Sequence, residues 1–111
     1  MYTPDSWKII LFESDDFGKV YKVLAGWYGG YANGDSWKLN SGITKVVENG
    51  NFYDFYGSSG SIYHCTKTGE HISGIMGGML SSWQEQAKEY PGVSIEAVSY
   101  EDFINDKVVP D

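Results

Sequence analysis

The chain contains no arginine. All eight of its basic residues are lysines, set against fifteen acidic residues for a formal net charge of −7. Arginine supplies the planar fork that grips phosphates and base edges, and a negative field repels a polyanion. Nucleic acid is therefore not an expected partner, and the acids are too scattered to mimic DNA. A protein or a small molecule is expected instead. Cysteine is nearly absent too: Cys65 stands alone, which excludes an internal disulfide framework and a cysteine-based zinc site. A single thiol fits a reducing, cytoplasmic compartment. Long apolar runs are also missing, and nothing approaches the roughly 20 residues of a membrane span. The amino-terminal "MYTPDSWKIILFESDD" carries no basic leader, so no membrane partner is expected.

What the sequence does hold is aromatic residues, 16% of 111 positions, together with 14 glycines. Aromatics suit pleated surfaces and glycine supplies positive φ at tight turns. That composition predicts a β-rich single domain over residues 1–111. Trp7 to Phe12 reads as a first strand, ended by the acidic turn "ESDDFG". Lys19 to Tyr28 reads as a long second strand with Tyr21, Val23, Ala25 and Trp27 on one face. "ANGD" turns the chain and Ser36 to Asn40 resumes extended structure.

The segment "ITKVVENGNFYDFY" predicts a hairpin with Asn49-Gly50 at its turn, pairing Val47 with Phe52 and Lys45 with Asp54. "GSSG" read as a four-residue loop then places Tyr63 opposite Asp54 and His64 opposite Tyr53. Beyond "KTGE" the period becomes helical. Ile72, Ile75, Met76, Met79, Leu80, Trp83 and Ala87 predict an amphipathic helix over 72–89, stopped by Pro91-Gly92. Gly74, Gly77 and Gly78 weaken its first half and suggest a close approach to the sheet. "VSIEAV" is a last strand, and Ser99 with Asp102 caps a short terminal helix. The expected fold is α+β: an antiparallel β-meander of about six to seven strands, one main amphipathic helix and a short C-terminal helix.

Residues 26–37, "GWYGGYANGDSW", are the most distinctive stretch. One reading is a ligand platform in which Trp27, Tyr28, Tyr31 and Trp37 present flat faces around a turn, with Asn33 and backbone amides as hydrogen-bonding groups. Lys22 would supply the cation, with Lys19 and Lys38 as further sources. The other reading is a long hairpin whose aromatics face the core. In "SIYHCTKTGEH", Cys65, His64, His71 and Glu70 are the residue types of a thiol nucleophile with its base, or of a metal site. Adjacent strand residues point to opposite faces, however, so His64 cannot readily activate Cys65. "GSSGS" has the composition of a phosphate-cradling loop but lacks the lysine and the following helix.

The stretches "KVYKVLAGWYGGYANGDSWKLNSGITKV" and "YDFYGSSGSIYHC" resemble small, acidic, phage-encoded anti-defence proteins. The texture is most similar to the Thoeris anti-defence sponges, which bind a cyclic ADP-ribose-type immune signal without cleaving it. That resemblance implies a non-catalytic protein, without cofactor, that sequesters a nucleotide-like ligand in the host cytoplasm. On that reading a homo-oligomer would help by bringing lysines of two chains to one pocket. The alternative is an acidic protein–protein inhibitor, since size and charge also fit anti-CRISPR inhibitors, which bind a host protein. A third expectation, of a different class, is a small hydrolase using Cys65 and a histidine.

Overall fold

A computed structural model describes residues 1–30 and 34–107. Its elements run β1 (Ser6–Ser14), β2 (Gly18–Gly30), β3 (Gly34–Leu39), β4 (Ile43–Asn49), β5 (Phe52–Gly57), β6 (Ile62–Thr66), a 3-10 turn (Lys67–Gly69), α1 (Gly74–Ala87), β7 (Val93–Val98) and α2 (Tyr100–Lys107). The fold is α+β with antiparallel pairing, as expected. Its strands divide between two sheets, a four-stranded one in the order β3-β2-β1-β7 and a three-stranded one in the order β4-β5-β6.

The result is three layers. β1 lies centrally in the larger sheet and is buried on both faces, which explains why "WKIILF" is nearly continuous apolar sequence. Trp7 and Ile9 join Val23 and Ala25 of β2 on one face. There they meet Phe55, Tyr63 and Cys65 of the smaller sheet, and Phe103 of α2 closes the end. The indole nitrogen of Trp7 donates to the Thr66 carbonyl at 2.7 Å, so a fully buried ring keeps its polar atom satisfied. On the opposite face, Ile10 and Leu24 pack against Met76 and Leu80 of α1, with Phe12, Trp83 and Ile95 at the margin. Among the described residues, no helix is long and apolar enough to cross a membrane.

Several details depart from the sequence pattern for identifiable reasons. α1 begins at Gly74, after Ser73, and Ile72 lies outside it, 39% exposed. The helical glycines do not make the close approach: a Cβ added at Gly74 or Gly78 would meet open space. The sheet supplies that glycine instead. Gly26 of β2 leaves room for the Met76 side chain, whose sulfur accepts a hydrogen bond from Ser6 Oγ at 3.2 Å. The expected capping of α2 holds, with the Asp102 amide donating to Ser99 Oγ at 3.0 Å.

Both hairpin registers in the smaller sheet differ from expectation. The β4–β5 turn is Gly50-Asn51, with Gly50 at φ 63°, so Asn49 pairs with Phe52 and Val47 with Asp54. A glycine at the first central position with positive φ is the type II′ pattern, and it displaces the Asn49-Gly50 turn by one residue. Lys45 consequently faces Tyr56, its ammonium 4.4 Å from the ring centroid, and not Asp54. Between β5 and β6, Gly57 pairs on to Ser61 through a 2.8 Å hydrogen bond, leaving three residues in the loop. Gly60 at φ 95° lets that three-residue loop close as a bulged turn. An odd loop in place of an even one shifts the ladder by one, and His64 faces Asp54.

Candidate functional site

β2 and β3 carry the aromatic-glycine stretch, and their alternation separates its two tryptophans. Trp27 is on the side of the smaller sheet, edge-on to Tyr2 at 6.4 Å, with its indole nitrogen donating to the Thr3 carbonyl at 3.0 Å. Trp37 is on the α1 side, edge-on to Trp83 at 5.5 Å. Tyr28 is 51% exposed, and its hydroxyl lies 2.6 Å from His71 Nε2. Tyr31 and Asn33 lie outside the described residues. The lysines divide as well: Lys38 sits over Tyr2, Lys22 over Phe12, and Lys19 pairs with Asp106 at 3.6 Å. Nearby amides are already held by carboxylates, Tyr28 N by Asp5 and Gly29 N by Asp35, each at 2.8 Å. Two acids at this turn oppose a phosphate there. Trp27 and Trp37 thus do not form a shared platform.

Lys22 instead lines a surface that sequence reading did not single out, and Trp37 meets it only through Trp83. Where the carboxy-terminal end of α1 stops short of the sheet, the helix-facing side chains of β1, β2 and β7 are left partly uncovered. Phe12, Val20, Lys22 and Ile95 floor an open cavity of about 400 Å³. It continues past Val93 into a cleft of about 290 Å³ under Trp83 and Tyr90. Phe17, at the tip of the β1–β2 hairpin, is 84% exposed, and Tyr90 is 64% exposed. Acidic groups rim this surface. Asp15 packs against Gly92 at the foot of β7, and Glu85 of α1 stands across a cleft from Val93 and Ile95, whereas Glu13, opposite Lys19, turns its carboxylate to the Tyr21 side of the sheet. Lys88 is held by Glu85 at 2.9 Å, which leaves little free positive charge beside Lys22. The sequence signal was there in the exposed tip of "ESDDFG" and in "EYPGV". Both read as ordinary turns until the fold sets them side by side.

The His/Cys constellation is not assembled. Cys65 is fully buried in the core between the sheets, and burial, followed by the charge of Asp54, pushes its thiol pKa far up. His64 points out of the opposite face of β6, where its Nδ1 is bonded to the Asp54 carboxylate and its ring stacks on Phe52 with centroids 3.8 Å apart. Asp54 is 7% exposed, and Asn49 Nδ2 lies 3.5 Å from its second oxygen. A carboxylate that fixes a histidine tautomer is half of a proton-relay geometry. Among the described residues no hydroxyl or thiol is bonded to Nε2, so what the pair does visibly is pin the β5–β6 register. His71 is occupied by Tyr28, and Glu70 by Lys8 at 3.0 Å and by the Tyr100 amide at 2.9 Å. Among the described residues, no three His, Cys, Asp or Glu side chains converge as metal ligands.

The "GSSGS" loop turns its hydrogen-bonding groups inward. The amides of Gly57, Ser58, Ser59 and Gly60 donate to Ser61 O, Gly42 O, Ser41 Oγ and Gly57 O respectively. None of the four is left to cradle a phosphate. No family model, no curated protein and no solved structure matches this chain.

Proposed function

We propose that this chain is a non-catalytic binding protein that holds a basic protein partner through the apolar surface beside the carboxy-terminal half of α1. The observation that carries this reading is that surface itself, with Phe17, Tyr90 and Val93 exposed over a Phe12–Ile95 floor and Asp15 and Glu85 at the rim. Contiguous apolar surface rimmed by charge is costly to leave bare and is the usual mark of a protein contact. Aromatic anchors give affinity, and a field of one sign selects partners of the other. An acidic inhibitor of a host defence protein, the role implied by the resemblance to anti-CRISPR inhibitors, fits this chemistry.

Sequestration of a small nucleotide-like ligand is the second reading. It is favoured by one observation: a cavity of about 400 Å³ has an aromatic floor, Phe12, and a cation, Lys22, in its lining. One titration separates the two. Emission from Trp83, which lines the surface, and from Trp37 in contact with it is followed on adding either a lysine-rich peptide or a panel of nucleotides. The protein-binding reading expects a saturable change with the peptide, about tenfold weaker between low and moderate salt. It also expects loss of that change in a folded Phe17→Ser/Val93→Ser variant. A response to one nucleotide alone, abolished by Lys22→Ala, would refute it in favour of sequestration.

A further inference from the structure

We infer that the partner segment binds as an extended cationic peptide that adds a strand to the free edge of β7, under the overhang of α1. This rests on the protein-binding reading above and specifies the form of the bound segment. β7 is the outer strand of its sheet, paired to β1 on one side only. Gln84 of α1 donates from Nε2 to the Ile95 carbonyl at 3.0 Å, which fixes the direction of the strand's backbone groups. Within a strand the N–H and C=O of one residue point to the same side and alternate along the chain. Ile95 and Ala97 therefore present their backbone groups away from β1, while Ser94 and Glu96 bond to it. Val93 points outward as well, but its N–H closes onto Tyr90 O at 3.2 Å.

The four sheet edges are not equivalent. β6 is covered where Tyr2 bonds across it, its amide to Ile62 O at 2.8 Å and its carbonyl to the His64 amide at 2.7 Å. β3 and β4 each carry a lysine, Lys38 and Lys45, and each pairs with its neighbour through a shifted register. Lysines and bulges are the ordinary means of keeping a foreign strand off an edge. β7 has neither: "VSIEAV" pairs with β1 in unbroken register from Val93 to Val98.

A strand docked there would enter a cleft that already exists. The stripe Ser81, Gln84, Glu85 and Lys88, spaced at helical intervals, forms one wall of a cavity of about 530 Å³, and Val93 and Ile95 form the other. β7 spans six residues, about 20 Å of extended chain, and the outward groups not already bonded to Tyr90 or Gln84 are the Val93 carbonyl, the Ile95 amide and both groups of Ala97. Backbone bonds would give affinity, and alternate side chains would drop onto Ala87 and Ile95. Glu85 and Glu96 flank the edge, with Asp15 beyond it at Gly92, and the nearest lysine, Lys88, is already bonded to Glu85. Charge therefore selects a cationic segment. The Gln84 amide holds the place that an incoming peptide N–H would take.

The test uses the full chain and a fluorescein-labelled nine-residue peptide alternating lysine with valine, read by fluorescence anisotropy at low salt. Ala97→Pro removes an outward N–H and places a ring against the incoming strand while sparing the ladder to β1. The expected result is at least tenfold weaker binding with an unchanged circular dichroism spectrum. The peptide is also N-methylated on one alternating set of amides or on the other. Strand addition expects one set to lose binding at least tenfold and the other to keep it, a comparison that decides the matter even if the proline variant does not fold. Equal binding by both methylated peptides, with binding lost in Phe17→Ser, would overturn strand addition and leave the apolar-surface reading standing. No binding of any of these peptides by the unaltered chain would overturn both.

Discussion

The seating of α1 on the sheet depends on one missing methyl group, and this can be tested quantitatively. A Cβ added at Gly26 would lie 2.6 Å from Met76 Sδ and 3.1 Å from both Met76 Cγ and Ser73 Oγ. Met76 is flexible by chemistry but not by position. It is fully buried among Ile10, Leu24 and Leu80, and its sulfur accepts from Ser6 Oγ. Gly26→Ala must therefore push Met76 off its rotamer or lift the start of α1, and overpacking of this kind costs about 1–3 kcal/mol. For a chain of 111 residues, 1 kcal/mol corresponds to roughly 4 °C in Tm, so a fall of roughly 4–12 °C is expected. Met76→Ala alone leaves a cavity and costs about 2–5 kcal/mol. In the double variant the new methyl enters the space that Met76 vacates, so the two losses should sum to about 1–2 kcal/mol less than additivity. Urea unfolding followed by tryptophan emission measures all four states, with equal slopes confirming that the unfolded state is unchanged. A Gly26→Ala variant within about 0.5 kcal/mol of the parent, or strictly additive losses, would refute the packing argument.

Two further outcomes follow from the same geometry. Removing the ring with His64→Ala strands the Asp54 carboxylate at 7% exposure with only the long contact to Asn49, and should cost about 1–3 kcal/mol. The Asp54→Ala/His64→Ala pair should recover part of that loss, and a single variant as stable as the parent in urea would show that the pair does not hold the register. Tyr21, Tyr63 and Tyr100 all have pKa values raised above the ordinary value near 10, each first by burial, and Tyr21 next by its hydrogen bond to Asp106. A raised folded-state pKa favours the protonated form in the folded chain. The stability it contributes is thus complete below about pH 10 and is lost as the pH climbs through the folded values. Absorbance at 295 nm should show part of the nine tyrosines ionising only as near-ultraviolet circular dichroism collapses. Ionisation of all nine near pH 10 with the fold intact would contradict it.

The sequence revealed most where a single local rule settles the outcome. β1 was visible because five of the six positions from Trp7 to Phe12 are apolar, and α1 because its apolar residues recur at helical spacing. α2 showed through the Ser99–Asp102 cap. Face assignment along β2 also held, with Tyr21, Val23, Ala25 and Trp27 on the side of the smaller sheet. What the pattern could not fix was anything decided by loop geometry or by contacts between distant segments. The strands divide into two sheets between β3 and β4, and β7 returns from α1 to pair beside β1, some eighty residues along the chain. Nothing local in "VSIEAV" names that neighbour.

The smaller sheet shows how little separates a legible site from a hidden one. At the β4–β5 turn, moving the turn by one residue changes the pairing sum by two, so every side chain keeps its face. Val47 exchanges Phe52 for Asp54, and Lys45 exchanges Asp54 for Tyr56, yet the core is unaffected. At the β5–β6 turn a shift of one is enough to exchange faces. With a four-residue loop His64 would sit opposite Tyr53 and point into the core. With Gly60 at positive φ the loop keeps three residues, His64 meets Asp54 in the outer layer, and Cys65 enters the core in its place. The same glycine thus decides that the histidine is carboxylate-bound and the thiol sealed away. The Cys/His chemistry that the sequence invites is dismantled by one backbone angle. The surface that remains open lies on the other side of the molecule, assembled from the tip of one hairpin, the end of a helix and the edge of a strand, three segments with no sequence pattern in common.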